Sequence, residues 1–244
     1  MVHEENYKLY PLKWDTDYFN ISSARLDITN KLKEEEIEEI MKLCNNYEFI
    51  TISNNENCNE NNIWIGQMTN AFMVDMNIQF VKTDMKGLLK KTSNIVVENY
   101  FAENTDILNI AKSSFQYSRF FNDPYLPEEQ KKSMYVEWVK SSFNQKNKYF
   151  IYCYTESNEI MGFILFNIEE EVSKAHIELI AVADEYKGNK VGSNLMKELE
   201  SFLTSKNINK IYVGTQVNNV NAINFYRKNG FMYWNCRTIY HYWR

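Results

Sequence analysis

The chain has 244 residues, 44% of them hydrophobic, and a formal net charge of -5, enough for one large domain or two modest ones with a real core. The acidic balance excludes a protein whose work is to coat nucleic acid, because that needs a basic face to neutralise phosphates. No apolar run approaches the roughly 18 residues that span a bilayer, and the opening MVHEENYKLY lacks the charged-then-apolar order of a signal peptide, so a cytoplasmic protein without membrane or nucleic-acid partners is expected.

In chain order, 31–47 places Leu32, Ile37, Ile40, Met41 and Leu43 near helical spacing among charges and reads as an amphipathic helix. The asparagine-rich 53–62 reads as a loop, and 64–82 as strand-rich. Apolar patterning fades over 86–93, where a boundary is set between a smaller α/β unit, 1–90, and a larger one, 91–244. The larger unit reads as strand 94–101, helix 105–115, an aromatic helical segment to about Phe143, then strands 149–155, 160–170 and 175–182. Helix 193–205, strand 210–216, helix 221–230 and strand 236–243 follow. Such alternation gives an α/β (α+β) class with helices on both faces of a mixed sheet, and no repeat of solenoid period is visible. Cys44, Cys58, Cys153 and Cys236 are scattered, with only His3, His176 and His241 as imidazoles, so reduced thiols and no metal are expected.

Five of the seven glycines, Gly162, Gly188, Gly192, Gly214 and Gly230, lie from residue 162 onward, which directs the search there. In HIELIAVADEYKGNKVGSNLMKELESFL an apolar strand enters a glycine-containing turn and then a helix. Backbone N–H groups near Gly188 to Ser193, unpaired at the helix start and aligned with the helix dipole, suit a pyrophosphate, with Lys187 and Lys190 at the same mouth.

This stretch resembles the pyrophosphate loop of the GNAT superfamily of N-acetyltransferases. Lys187, Gly188, Asn189, Lys190, Val191 and Gly192 fall in its register, with Lys187 where the family has Gln or Arg and Lys190 at the inner glycine. About thirty residues on, IYVGTQVNNVNAINFYRKNGF is similar to the family's second motif through Asn219, Ala222, Tyr226, Gly230 and Phe231. The resemblance implies a GNAT fold, a mostly antiparallel sheet with helices on both faces, and acetyl-CoA as cosubstrate. It places the pyrophosphate at Lys187 to Ser193, the pantetheine arm on the backbone of Ile180, Ala181 and Val182, and a cofactor contact at Asn219, which also reads as a helix cap. Acetyl transfer needs a neutral amine, a polarised thioester and a proton for the thiolate. Tyr226 is the candidate acid and Glu178, or a water chain, the candidate base. His176 is a lesser alternative, and a core aromatic is the rival reading of Tyr226.

PLKWDTDYFNISSARLDI, FQYSRFFNDPYLPEEQKKSMYVEWV and GTQVNNVNAINFYRKNGF with a closing YHYWR resemble one branch of that superfamily, the TDP-fucosamine acetyltransferases, which N-acetylate a nucleotide-linked amino sugar. The middle stretch sets Phe115, Tyr117, Phe120, Phe121, Tyr125, Tyr135 and Trp138 around Arg119 and Asp123. Aromatic faces can stack on a base or sugar and an arginine can grip a diphosphate, so Arg119, Phe120 and Tyr125 are the acceptor candidates, against the alternative of a packed helix pair. The expected partner is a small-molecule amine, with a sugar nucleotide first. Another small amine, a protein N-terminus, or a catalytically silent CoA-binding regulator are the alternatives. The oligomeric state is open, a homodimer included.

Overall fold

The computed structural model describes residues 6–85 and 94–244. The expected boundary segment, 86–93, lies outside the described residues. The elements run β1 (Tyr7–Pro11), α1 (Lys13–Phe19), β2 (Ser23–Ile28), α2 (Glu34–Cys44), β3 (Phe49–Asn54), α3 (Asn59–Met68) and β4 (Phe72–Lys82). After them come β5 (Ile95–Asn99), α4 (Thr105–Ser114), α5 (Glu128–Ser142), β6 (Tyr149–Tyr154), β7 (Ile160–Glu169), β8 (Lys174–Val182), α6 (Val191–Ser205), β9 (Lys210–Gln216), α7 (Val220–Lys228) and β10 (Met232–Trp243).

The ten strands of the described residues form one sheet in the order β1-β2-β3-β10-β4-β9-β8-β7-β6-β5. Only β2/β3 and β8/β9 are parallel, each joined by a helix, as parallel neighbours require. The chain therefore makes a strand–helix–strand–helix–strand pass twice, β2 to β4 and β8 to β10. The last strand of each pass is exchanged, with β10 between β3 and β4, and β4 between β10 and β9. The passes differ in one respect that matters. β2 and β3 pair from Ser23↔Phe49 to Ile28↔Asn54, whereas β8 and β9 pair only from Lys174↔Lys210 to Ile177↔Val213, although β8 continues to Val182 and β9 to Gln216.

Strand alternation sorts side chains to two faces. Ile151, Ile164, Phe166 and Val213 meet Leu195, Met196, Leu199 and Leu203 of α6 on one. On the other, Phe150, Phe163, Leu165 and Leu179 meet Ile107 and Ile110 of α4 and Met134 and Val139 of α5. A third cluster packs Ile37 and Ile40 of α2 and Trp64 and Ile65 of α3 on Leu26, Ile28, Ile50 and Ile52.

Two local expectations differ from the structure. The asparagine-rich stretch, read as a loop, ends as the first turn of α3, and its amides are internal ties. Asn61 Nδ2 donates to the Asn30 carbonyl (2.9 Å), Asn61 Oδ1 accepts from Leu32 N (3.1 Å), and Asn54 Nδ2 donates to Asn62 Oδ1 (2.7 Å). Trp64 and Ile65, read as strand, are buried on that helix. The aromatic segment is not one helix either. Helix α4 ends at Ser114 and α5 begins at Glu128, directly after Pro127, since proline lacks the N–H a helix interior needs but suits its start.

Candidate active site

Where β8 and β9 part, the sheet opens into a cleft of about 550 Å³. Its β8 wall carries Ile180, Ala181 and Val182, held on the far side by pairing to β7 (Gly162↔Val182 to Leu165↔Leu179). Backbone groups directed toward the missing β9 partner are free to pair with an extended ligand. Between Leu165↔Leu179 and Phe166↔Ile177 the register shifts, and Glu178 is the bulged residue. A bulge re-aims one side chain, and here it sends Glu178 toward α5. Its carboxylate accepts from Asn167 Nδ2 (3.0 Å) and Trp138 Nε1 (3.3 Å) and forms an ion pair with Lys148.

The end of the cleft is built by 187–193. Gly188 has φ +82°, a conformation glycine adopts without a Cβ penalty. Lys190 has φ 62° and ψ 9° immediately before α6, and its carbonyl accepts from Asn194 N at 2.9 Å. The amides of Val191, Gly192 and Ser193, in the first turn of α6, have no acceptor within the helix. They and the positive end of the 15-residue α6 point at the cleft mouth, an arrangement suited to phosphate oxygens. Gly192 lies against α7, where an added Cβ would meet the Phe225 ring at 3.1 Å. The Lys187 ammonium is paired with Asp184, while Lys190 has no ion pair among the described residues.

Helix α7 closes the other wall. Asn219 caps it, its side chain accepting from Ala222 N at 3.1 Å, and both it and Tyr226 line the cleft. Tyr226 is 4% exposed, packed on Phe80, Phe225 and Phe231. Burial pushes its phenol pKa up, and its hydroxyl has no hydrogen-bond partner among the described residues.

The structure thus gathers Glu178, Ile180, Ala181, Val182, Lys187, Gly188, Lys190, Val191, Gly192, Ser193, Asn219 and Tyr226 around one cleft. Asn189 sits in the same loop but is not part of its lining. His176 lies outside, its Nε2 at 3.1 Å from Glu169 Oε1 and its ring stacked on Tyr212, its pKa lowered by burial. The acceptor candidates are placed elsewhere too. Arg119 stacks on Phe120 (4.0 Å to the ring centroid) and faces Asp15 at 3.7 Å. Phe120 is 3% exposed in the core, and Tyr125 is 66% exposed, edge-on to Phe72 and Trp243.

Several cleft residues escaped the sequence reading. Ser114, Gln116 and Gly214 to Gln216 line it together with Phe115, Tyr117 and Tyr135 of the aromatic group. Opposite Gly214 stands Gln79 of β4, whose side chain donates to Asn77. A Cβ at Gly214 would overlap both amides, at 2.3 and 2.7 Å. A lone glycine inside a strand marks such close approach and was the available signal.

The model of the acetyltransferase (GNAT) family matches residues 106–231. The spore coat polysaccharide biosynthesis protein SpsD of Bacillus subtilis (strain 168) is 26% identical over 137 residues, covering 56% of this chain and 46% of that protein. The chain therefore matches less than half of that relative's length. A GCN5-related N-acetyltransferase from Sphaerobacter thermophilus superposes with a TM-score of 0.59 at 12% identity, over 98% of this chain and 76% of that one. A tandem GNAT protein from the clavulanic acid biosynthesis pathway gives 0.61 at 11% identity, over 90% and 74%. At these identities the solved structures speak for the fold.

Proposed function

Because the chain belongs to the GNAT acetyltransferase family, we propose that it moves an acetyl group from acetyl-CoA to a primary amine, with a nucleotide-linked amino sugar as the favoured acceptor. The observation that carries this reading is the alignment, along one cleft, of the free amides of α6, the unpaired inner edge of β8 and the phenol of Tyr226. The amides of Val191 to Ser193 would hold a pyrophosphate. The edge of Ile180 to Val182 would take the pantetheine arm as an added strand. In the transfer the amine nitrogen bonds the acetyl carbon, the carbon–sulfur bond breaks, and the departing thiolate receives the Tyr226 proton. A phenol with its ordinary pKa of about 10 already holds that proton at neutral pH.

For Glu178 we infer a positioning role. Both carboxylate oxygens are already engaged by Lys148, Asn167 and Trp138, so taking up a proton would mean displacing a donor, and a water chain is left to carry off the amine proton. The unit 1–90 is assigned to the acceptor side, because β4 brings Asn77 and Gln79 against Gly214 at the cleft. The curated relative's part in spore coat polysaccharide synthesis agrees with a sugar acceptor. Thiol release from acetyl-CoA, measured across nucleotide-linked amino sugars, polyamines and peptides, tests the reading. Turnover confined to the sugar panel supports it; turnover confined to polyamines or peptides removes the sugar, and none with any amine removes the transferase.

A further inference from the structure

Over β7 and β8 one face of the sheet is apolar and lies beneath α4 and α5. The same face changes character as it continues across β9, β4 and β10. Cross-strand partners in register share a face, and the pairs Gln79↔Gly214, Asn77↔Gln216 and Arg237↔Asn77 are in register. A row of amides thus leads from the cleft to one guanidinium, Arg237.

Arg237 is unusual in its setting. Its Nε is buried with no hydrogen-bond partner, and it forms no ion pair among the described residues. The nearby carboxylate of Asp27 is already engaged, accepting from Arg25 Nε at 2.9 Å and Tyr10 Oη at 2.8 Å. Burial first, and the charge of Arg25 next, work against the Arg237 cation. Arg237 is only partly buried, and of its nitrogens only Nε is both buried and unpartnered, so the outer end of the fork stays open to an anion that would complete it. An oxyanion with two acceptor oxygens matches its fork, and a doubly charged one relieves the repulsion between Arg25 and Arg237 more than a carboxylate does. Arg237 lies two strands from Gln216, which lines the cleft. At about 4.8 Å per strand that is roughly 10 Å, the reach of a sugar ring and the phosphoryl group attached across it from the reacting amine.

We propose that Arg237, flanked by Arg25, is the anchor for a phosphoryl group of the acceptor, and that Asn77 and Gln79 floor the span between that anchor and the acetyl-transfer cleft. The proposal rests on the acyltransferase reading and makes Arg237 a determinant of acceptor choice, apart from the pyrophosphate loop at 187–193.

The test is calorimetry on the full chain saturated with CoA, so that the pyrophosphate loop is filled, with uridine diphosphate as the probe and glucuronate as the carboxylate control. Uridine diphosphate should bind the CoA-loaded protein and glucuronate much more weakly. Arg237→Gln should weaken the diphosphate by about 10- to 100-fold, as loss of a charge-assisted contact does. Arg237→Lys, which keeps the charge and loses the fork, should weaken it several-fold and serves if the glutamine variant does not fold. Undiminished binding in either folded variant, no binding to the CoA-loaded wild type, or equal affinity for glucuronate overturns the anchor and leaves the transferase reading standing. Failure to bind CoA at all strikes the transferase reading first.

Discussion

His241 Nδ1 and Asp123 Oδ2 lie 2.5 Å apart with both side chains fully buried, so the last strand is bonded to the segment between α4 and α5. Trp243 Nε1 adds a second donor to the same oxygen at 2.9 Å, and Lys131 Nζ donates to the Asp123 carbonyl at 3.0 Å. Burial pushes His241 down to about 4, against the pull of Asp123. Burial alone would raise Asp123, but bonds from His241, the Tyr125 amide and Trp243 outweigh it and lower the carboxyl pKa. An imidazole neutral when folded and free to ionise when unfolded contributes stability that is intact above pH about 6.5 and drains away toward pH 4, worth at most about 3 kcal/mol. Asp123 adds to the loss further down. Thermal melts should fall over that window. Asp123→Asn should cost about 1.5–3 kcal/mol at pH 7, the usual result of losing a hydrogen bond to a charged group, since His241 is neutral there; a loss below about 1 kcal/mol would mean the bond is incidental.

Asp75 carries the opposite sign. Burial, only partly offset by Asn77 and Arg119, lifts it to about 6, so its contribution to folding is fully present below pH about 4 and is lost as pH rises through 6. Asp75→Asn should therefore stabilise the protein at pH 7 by up to about 3 kcal/mol, with the gain vanishing near pH 4. Because His241 and Asp75 oppose each other between pH 4 and 6, the wild-type melting curve there should be flatter than in Asp75→Asn. A pH-independent gain would place its cause outside titration.

Tyr226→Phe keeps the ring among Phe80, Phe225 and Phe231 and deletes only the hydroxyl. As general acid its loss should lower kcat by about 10²- to 10⁴-fold with CoA affinity unchanged. The hydroxyl makes no hydrogen bond among the described residues, so its removal forfeits none, and the variant should melt no lower than wild type. A lower melting temperature with near-normal kcat would make Tyr226 a core aromatic.

The loop makes two separable predictions. Lys190 holds φ 62° where the family has glycine, and a left-handed conformation costs a residue with a Cβ about 1–2 kcal/mol. Lys190→Gly should relieve some of that strain while CoA still binds through the Val191 to Ser193 amides. Gly192→Val should instead drive into Phe225 and weaken CoA at least tenfold in calorimetry. Unchanged affinity in folded Gly192→Val would move the pyrophosphate elsewhere.

How much of this was legible beforehand follows the range of the interactions. The cap at Asn219, the glycine-containing turn at 187–193 and the helix behind it are set within a few neighbouring residues, and the spacing of charges and glycines conveys them. Gln79 against Gly214, or Arg237 behind Asn77, requires knowing that two strands trade places across more than 130 residues of sequence, and no local pattern encodes that. The asparagines at 54, 61 and 62 misled for the same reason. Residues that usually meet water here bond to one another and to Asn30, which only the assembled unit makes possible.

The exchanged strands also bear on how the chain is made. β10 slides between β3 and β4, so those two strands emerge from the ribosome long before the segment that separates them. Until residues 232–243 arrive, their facing edges stay bare, and bare edges of apolar strands invite pairing with other chains. Folding should be slowed by a closure that joins strands so far apart in sequence, which lengthens the wait during which those edges are open to other chains. Lengthening that wait, by slowing translation over α7, should raise the aggregated fraction without changing the protein that does fold.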